Sequence, residues 1–150
     1  MKFKHGTRRR AAEYEKDWVQ RWKDDDTFNK SVAQRPADNS WVFYDGPPFL
    51  TGTPHHGHLL VSTVKDTMGR FHTMKGQRVE RRWGWDCHGL PAEVYVEKTL
   101  GISNKKEIGT KISVSDYVKE CRAAMVRTGT EWEDTIERIG RWVEFKGAYK

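Results

Sequence analysis

At 150 residues, 36% hydrophobic and 32% charged, the chain is long enough for one domain with a modest core, and no stretch approaches the apolar length of a membrane span. Its formal net charge of +6 and pI near 9.4 favour a polyanionic partner such as nucleic acid, although a merely basic surface accounts for the same numbers. The two cysteines, Cys87 and Cys121, lie far apart without metal-ligand spacing, which speaks for a reduced, cytoplasmic protein and against a disulfide framework.

The basic N-terminus (Lys2, Lys4, Arg8, Arg9, Arg10) leads into no apolar run, so it is not a secretory signal. Early acids (Glu13, Glu15, Asp17) and the lack of serine before Ser31 argue against a transit peptide. Ala11, Tyr14, Trp18 and Trp22 recur at helical spacing, with Thr7 as candidate cap. Asp24-Asp25-Asp26 should end that helix, because the dipole disfavours anions at its far end. Residues 29–40 are polar, contain Pro36 and read as a loop. Trp41-Val42-Phe43-Tyr44 fits a short strand buried on both faces.

A Gly/Pro-rich loop, residues 45–57, comes next. The helix after it carries Leu60, Val64, Met68 and Phe71 on one stripe and ends at Gly76. Residues 78–83 read as a second strand, completing a β-loop-α-β unit with a right-handed crossover. A short helix near 92–100 follows. A long helix from about Ser115 to Ile139 has Val118, Cys121, Met125, Trp132, Ile136 and Ile139 on its inner face, with Gly129 as a bend. The pattern is α/β, a Rossmann-like parallel sheet with flanking helices, and it does not close on itself. Its expected organisation is an N-terminal helix and loop over 1–40, then half of a nucleotide-binding domain over 41–150.

Chemistry concentrates in two segments where a strand should stop and a helix begin, the place where α/β proteins hold ligands. The first is Tyr44-Asp45-Gly46-Pro47-Pro48 followed by Gly52-Thr53-Pro54-His55-His56-Gly57-His58; the second is Gly84-Trp85-Asp86-Cys87-His88-Gly89-Leu90-Pro91. His55 and His58, at i and i+3, share a face where imidazole N–H groups reinforce a helix dipole toward phosphate, while capping alone is the plainer account. Gly57 removes a side chain where a flat ligand would approach. Gly46-Pro47-Pro48 is either a rigid pocket wall or only a strand-ending turn. Asp86 is either an ammonium ligand or a turn cap, and His88 a donor or structural. His55, His56, His58 and Cys87 match no standard zinc spacing, so no metal is expected. Glu93 and Glu97 read as a solvated helix face and Asn104-Lys105-Lys106-Glu107 as a surface turn; Arg81 and Arg82 either reach phosphate or tRNA or, the plainer account, form a solvent-facing strand edge.

Together the two segments resemble signatures of the class I aminoacyl-tRNA synthetases. Tyr44 to Pro48 with His55 to His58 resembles their first signature. Gly84 to Pro91, and the later Arg138-Ile139-Gly140-Arg141-Trp142, are similar to the isoleucine enzymes, where valine and methionine enzymes usually have Gly-Thr-Asp for Gly-Trp-Asp. The resemblance runs from about Glu13 to Tyr149. It implies ATP-dependent activation of isoleucine, with Mg2+ accompanying ATP, and transfer to tRNA(Ile). It also implies roles: His55 and His58 hold the ATP phosphates, Gly57 lets adenine pack on the backbone, Gly46 and Pro47 line the amino-acid pocket, and Asp86 binds the substrate ammonium.

His56 stands where the family usually has an apolar or aromatic residue. The lysine-rich second signature, the editing insertion and the anticodon-binding helices do not occur in these 150 residues. The expectation is therefore the N-terminal half of a catalytic domain, inactive or weak as an isolated piece. The alternatives are another class I synthetase (valine, leucine or methionine) and a non-catalytic module derived from one.

Overall fold

A computed structural model of the chain describes residue 6 and residues 8–50, 52–125 and 130–150. Eight elements follow in order: α1 (Ala11–Asp24), α2 (Thr27–Ala33), α3 (His56–Met74), β1 (Arg82–Gly84), α4 (Leu90–Thr99), α5 (Val114–Ala124), α6 (Thr130–Arg138) and β2 (Glu144–Tyr149). Short 3-10 turns at Ala37–Asn39 and Lys105–Glu107 punctuate the connections. β1 and β2 pair in parallel, with a register irregularity between Arg82 and Gly84. The fold is α/β, as expected.

β1 is the axis of a slightly wider arrangement. On one edge the Glu144 N–H donates to the Arg81 carbonyl (2.8 Å) and the Trp85 N–H to that of Tyr149 (2.9 Å). On the other edge Trp41 donates to Arg78 (2.9 Å), Asp86 to Pro48 (2.8 Å) and Leu50 to Asp86 (3.1 Å). Arg78 and Asp86 share one parity and Arg81 and Trp85 the other, so the two neighbours bind opposite edges, as alternation along a strand requires. The segment before α3 thus runs parallel to residues 78–86, but it is held only by isolated bridges at Ser40–Arg78 and Phe49–Asp86.

Trp41 to Tyr44 is accordingly not the doubly buried strand its composition predicts. Val42 is 67% and Tyr44 92% exposed, because nothing among the described residues pairs with the outer side of this segment. Trp41 finds α3 instead, stacking on His72 at 3.8 Å between ring centroids.

Other expectations also change. α1 ends at Asp24 as the acidic run predicts, but residues 29–40 are not all loop. Asp26 adopts left-handed backbone (φ 48°) and accepts from Asn29 Nδ2 at 2.6 Å, reversing the chain into α2, whose half-buried Phe28 and Val32 lie one turn apart. Thr7 lies outside the described residues, and Arg10 stands at the α1 N-cap. The second strand is displaced to Arg82–Gly84.

The single long C-terminal helix is instead α5 and α6. α5 starts on a Ser113 cap accepting from the Asp116 N–H (3.0 Å) and stops at Ala124, where Met125 turns its side chain into the core. Gly129, the expected bend, lies outside the described residues. Gly76 does terminate α3, in left-handed conformation (φ 86°), where a Cβ is disfavoured.

The core is aromatic. Trp83, Trp85 and Trp132 meet with ring centroids 5.4–6.0 Å apart, and Leu50, Ala92, Met125 and Ile136 complete the cluster. A second aromatic group joins α1 and α2 to the approach to β2: Trp22 meets Trp142 edge-on at 5.5 Å, and the Arg70 guanidinium lies 3.7 Å from the Trp142 ring centre. Arg81 points into this group and is 5% exposed, against the expectation of a solvent-facing edge. Burial pulls its guanidinium down to about 10, and Thr73 Oγ1 accepts one of its hydrogens (2.6 Å).

α3 turns its apolar stripe outward. Leu60, Val64, Met68 and Phe71 face outward, each at least 42% exposed, while Ser62, Gly69 and Thr73 face in. The inner face needs small residues because Arg81 lies against it: a methyl group at Gly69 would collide with the Arg81 guanidinium. No described helix is long and apolar enough to cross a membrane.

Candidate active site

α3 begins at His56, with His55 as its N-cap. The His55 N–H donates to Nδ1 of His58 (3.2 Å), and the two rings stack with centroids 3.6 Å apart. The i, i+3 spacing therefore brings the pair together as the sequence predicts. A Cβ on Gly57 would come within 3.1 Å of the His55 ring, so its missing side chain makes room for this histidine. His56 is exposed.

His58 leans on the core, its ring 4.8 Å from that of Trp132. Burial lowers its pKa below 6.5, and the nearby His55 and Lys65 lower it further. With Nδ1 accepting a hydrogen bond, the neutral ring carries its proton on Nε2 and is a donor there. The His58 N–H in turn faces the His55 side chain, a reciprocal capping arrangement, and the remaining N–H groups of this first turn, beside such an imidazole, suit an anion.

The second segment reaches the first through backbone. The Asp86 N–H donates to the Pro48 carbonyl and the Asp86 carbonyl accepts from Leu50, which puts Asp86 beside the Gly46-Pro47-Pro48 turn. Asp86 is half-buried, and the contact recorded for its carboxylate is a long one from the His88 N–H (3.4 Å). Pro47 is half-buried and Gly46 exposed. Trp132 ties the halves together: its Nε1 donates to the Gly52 carbonyl (3.0 Å) while its ring touches those of His58 and Trp85.

Beyond Asp86, a cavity of about 550 Å3 is lined by Cys87, His88, Ala92, Tyr117 and Cys121, among others. Both cysteines are free thiols, and burial pushes each up. Among the described residues no three His, Cys, Asp or Glu side chains converge as a metal set. Glu93 pairs with Lys105 (2.8 Å), and Asn104 to Glu107 form a capped, exposed turn. Glu97 is more enclosed than a solvated helix face would be, its side chain 16% exposed.

Sequence reasoning passed over the residues that hold this site together. Asp45 lies inside the first motif, yet its carboxylate is buried and paired with both Lys65 and Arg141. Lys65 also donates to the Gly46 carbonyl (2.8 Å), Arg141 to Ser62 Oγ (3.2 Å) and the Tyr149 hydroxyl to the Asp45 carbonyl (2.7 Å). The available signal was positional: Lys65 falls seven residues after His58, on the same face of α3.

Residues 17–150 match the family model of class I tRNA synthetases (I, L, M and V). The chain is 48% identical over 139 residues to an isoleucine–tRNA ligase of Treponema denticola, covering 93% of this chain and 12% of that protein. It is 47% identical over 132 residues to isoleucine–tRNA ligase 2 of Pseudomonas fluorescens (88% of this chain, 13% of the relative). It is 49% identical over 132 residues to a Caenorhabditis elegans protein named isoleucine–tRNA ligase, cytoplasmic (88% and 12%). The chain thus spans roughly an eighth of the length of the curated relatives it matches.

Proposed function

The chain belongs to the class I tRNA synthetases of the isoleucine, leucine, methionine and valine group, and we propose that it carries the first-signature half of an isoleucine-activating site. The reaction is attack of the isoleucine carboxylate on the α-phosphorus of ATP, bound with Mg2+. A carboxylate oxygen–phosphorus bond forms, pyrophosphate leaves, and the resulting isoleucyl-adenylate donates its acyl group to tRNA(Ile). The proposed setting is the cytoplasm, in keeping with the name of the nematode relative.

His55 and His58, with the first N–H groups of α3, are proposed to hold the ATP phosphates and stabilise the charge that builds on them. A neutral His58 with its proton on Nε2 is ready to donate. Gly57 keeps the backbone approachable for adenine. Gly46 and Pro47 wall the amino-acid pocket, and Asp86 accepts the substrate ammonium. No protein nucleophile is needed, because positioning and electrostatic stabilisation supply catalysis of such a step. Residues 41–150 then form the first half of a Rossmann-like catalytic domain, with 1–40 as a helical segment preceding it.

The stacked histidine pair at the N-terminus of α3 carries this reading. Its test is amino-acid-dependent ATP–pyrophosphate exchange, measured on the polypeptide as its gene encodes it. Exchange with isoleucine should exceed that with valine, leucine and methionine. Equal or greater exchange with one of those three, or none with any amino acid, overturns it.

A further inference from the structure

Lys65 and Asp45 join the two walls of the site, and neither has a place in the substrate contacts just proposed. Lys65 lies two turns beyond His58 on α3, and its ammonium binds the Asp45 carboxylate and the Gly46 carbonyl together. The second Asp45 oxygen takes Arg141, which returns to α3 through Ser62, and the Asp45 carbonyl takes Tyr149 from β2. These side chains are largely shielded: 7% exposed for Asp45, 4% for Arg141 and 20% for Lys65. Charge-assisted bonds in such surroundings are short and directional, so they fix distance as well as contribute energy. Lys65 is also close enough to His58 to lower its pKa, after burial and His55.

We propose that Lys65 is a positioning residue that, through Asp45 and Gly46, sets the distance between the Gly46–Pro47 wall and the histidine end of α3. Under the function proposed above, on which this inference rests, that distance aligns the isoleucine carboxylate with the α-phosphorus of ATP. Its loss should therefore slow the chemical step more than it weakens either substrate's binding.

Lys65 is the residue to change, because removing Asp45 would leave two shielded cations unpaired, whereas Lys65→Met leaves Asp45 on Arg141. In pyrophosphate exchange normalised to titrated active sites, Lys65→Met should lower kcat about tenfold or more, since small misplacements of reacting groups are costly. KM for isoleucine and for ATP should each change less than about threefold, a split that loss of folded protein would not give. Lys65→Arg, which retains charge and donors, should recover most of the rate. Unchanged kcat per active site, or Lys65→Arg no better than Lys65→Met, overturns the proposal. Should Lys65→Met not fold, Lys65→Gln serves in its place, and an unchanged kcat is equally fatal.

If the unsubstituted protein shows no isoleucine-dependent exchange, the proposed function fails by itself. The linkage is then read by nuclear magnetic resonance: the Gly46 amide and His58 ring signals should both move in Lys65→Met and return in Lys65→Arg. Signals that stay in place sink the linkage.

Discussion

Gly84→Ala tests how β1 and β2 support the site. Gly84 pairs with Tyr149 across the parallel sheet, and a methyl group there would lie 2.5 Å from one Tyr149 ring carbon and closer still to two others. Gly84 has no positive φ, so alanine suits the backbone and alone should add about 0.5–1 kcal/mol through reduced unfolded-state freedom. The ring must leave. Tyr149 is 44% exposed and has solvent to move into, but it gives up its bond to the Asp45 carbonyl, about 0.5–1.5 kcal/mol. It also gives up its cross-strand cover of Gly84, roughly another 0.2–1 kcal/mol. The net expectation is a destabilisation of about 1 kcal/mol, with about 2 kcal/mol as the upper bound, read as a lower midpoint in urea at unchanged m. In a Tyr149→Ala background the obstacle is gone, and Gly84→Ala should turn neutral or stabilising. The double-mutant cycle isolates this coupling from any general intolerance of the strand. If Gly84→Ala costs as much without the ring as with it, the steric argument is wrong.

Replacing His55 or His58 with Ala should lower pyrophosphate exchange by about 10²-fold each, the scale seen when one transition-state donor is removed, with little change in melting temperature; unchanged exchange would dismiss the phosphate role. Asp86→Asn should raise KM for isoleucine roughly tenfold or more and KM for ATP far less, as expected for a lost charge-assisted bond; equal shifts, or only a lower melting temperature, would make Asp86 a turn cap. Because His58 has a folded pKa below 6.5, the unfolded chain binds more protons between that value and 6.5, so this contribution to stability is present above 6.5 and is lost as pH falls toward the folded value. Urea midpoints at pH 7.5 and 5 should show a smaller acid loss in His58→Gln, and an equal loss would refute this. Paired Val64→Gln and Met68→Gln substitutions on the exposed stripe of α3 should reduce the fluorescence of an apolar-surface dye without lowering the melting temperature, whereas undiminished fluorescence would place the apolar surface elsewhere.

What the sequence disclosed was local and chemical. The end of α1 followed from acids meeting a helix dipole, the end of α3 from a glycine, and the histidine pair from its spacing. What it concealed depended on non-local neighbours. The apolar run at Trp41 to Tyr44 signals a buried strand only if a further strand or helix covers its outer side, and periodicity cannot report that. The stripe Leu60, Val64, Met68, Phe71 marks one face of α3 but does not say whether that face turns in or out, which is settled by Arg81 and its surroundings taking the small-residue face. The short helix α2 hid behind polar residues and Pro36. Asp45 hid because a carboxylate in a Gly/Pro turn looks solvated until two cations from distant positions converge on it.

The small-residue underside of α3 has a mechanical consequence. Ser62, Gly69 and Thr73 let the shielded guanidinium groups of Arg141 and Arg81 press against the helix, and side chains held in place by burial and by bonds to Ser62 and Thr73 leave it little slack to roll or slide. Gly69 and His58 are eleven residues apart, about 16 Å along the axis, so a tilt of about 5° pivoting at the glycine would carry the imidazole about 1.4 Å. That leverage makes the far end of the helix a calibration point for the near one. A bulky replacement at a position remote from any substrate would be felt chiefly as an aiming error at the histidines.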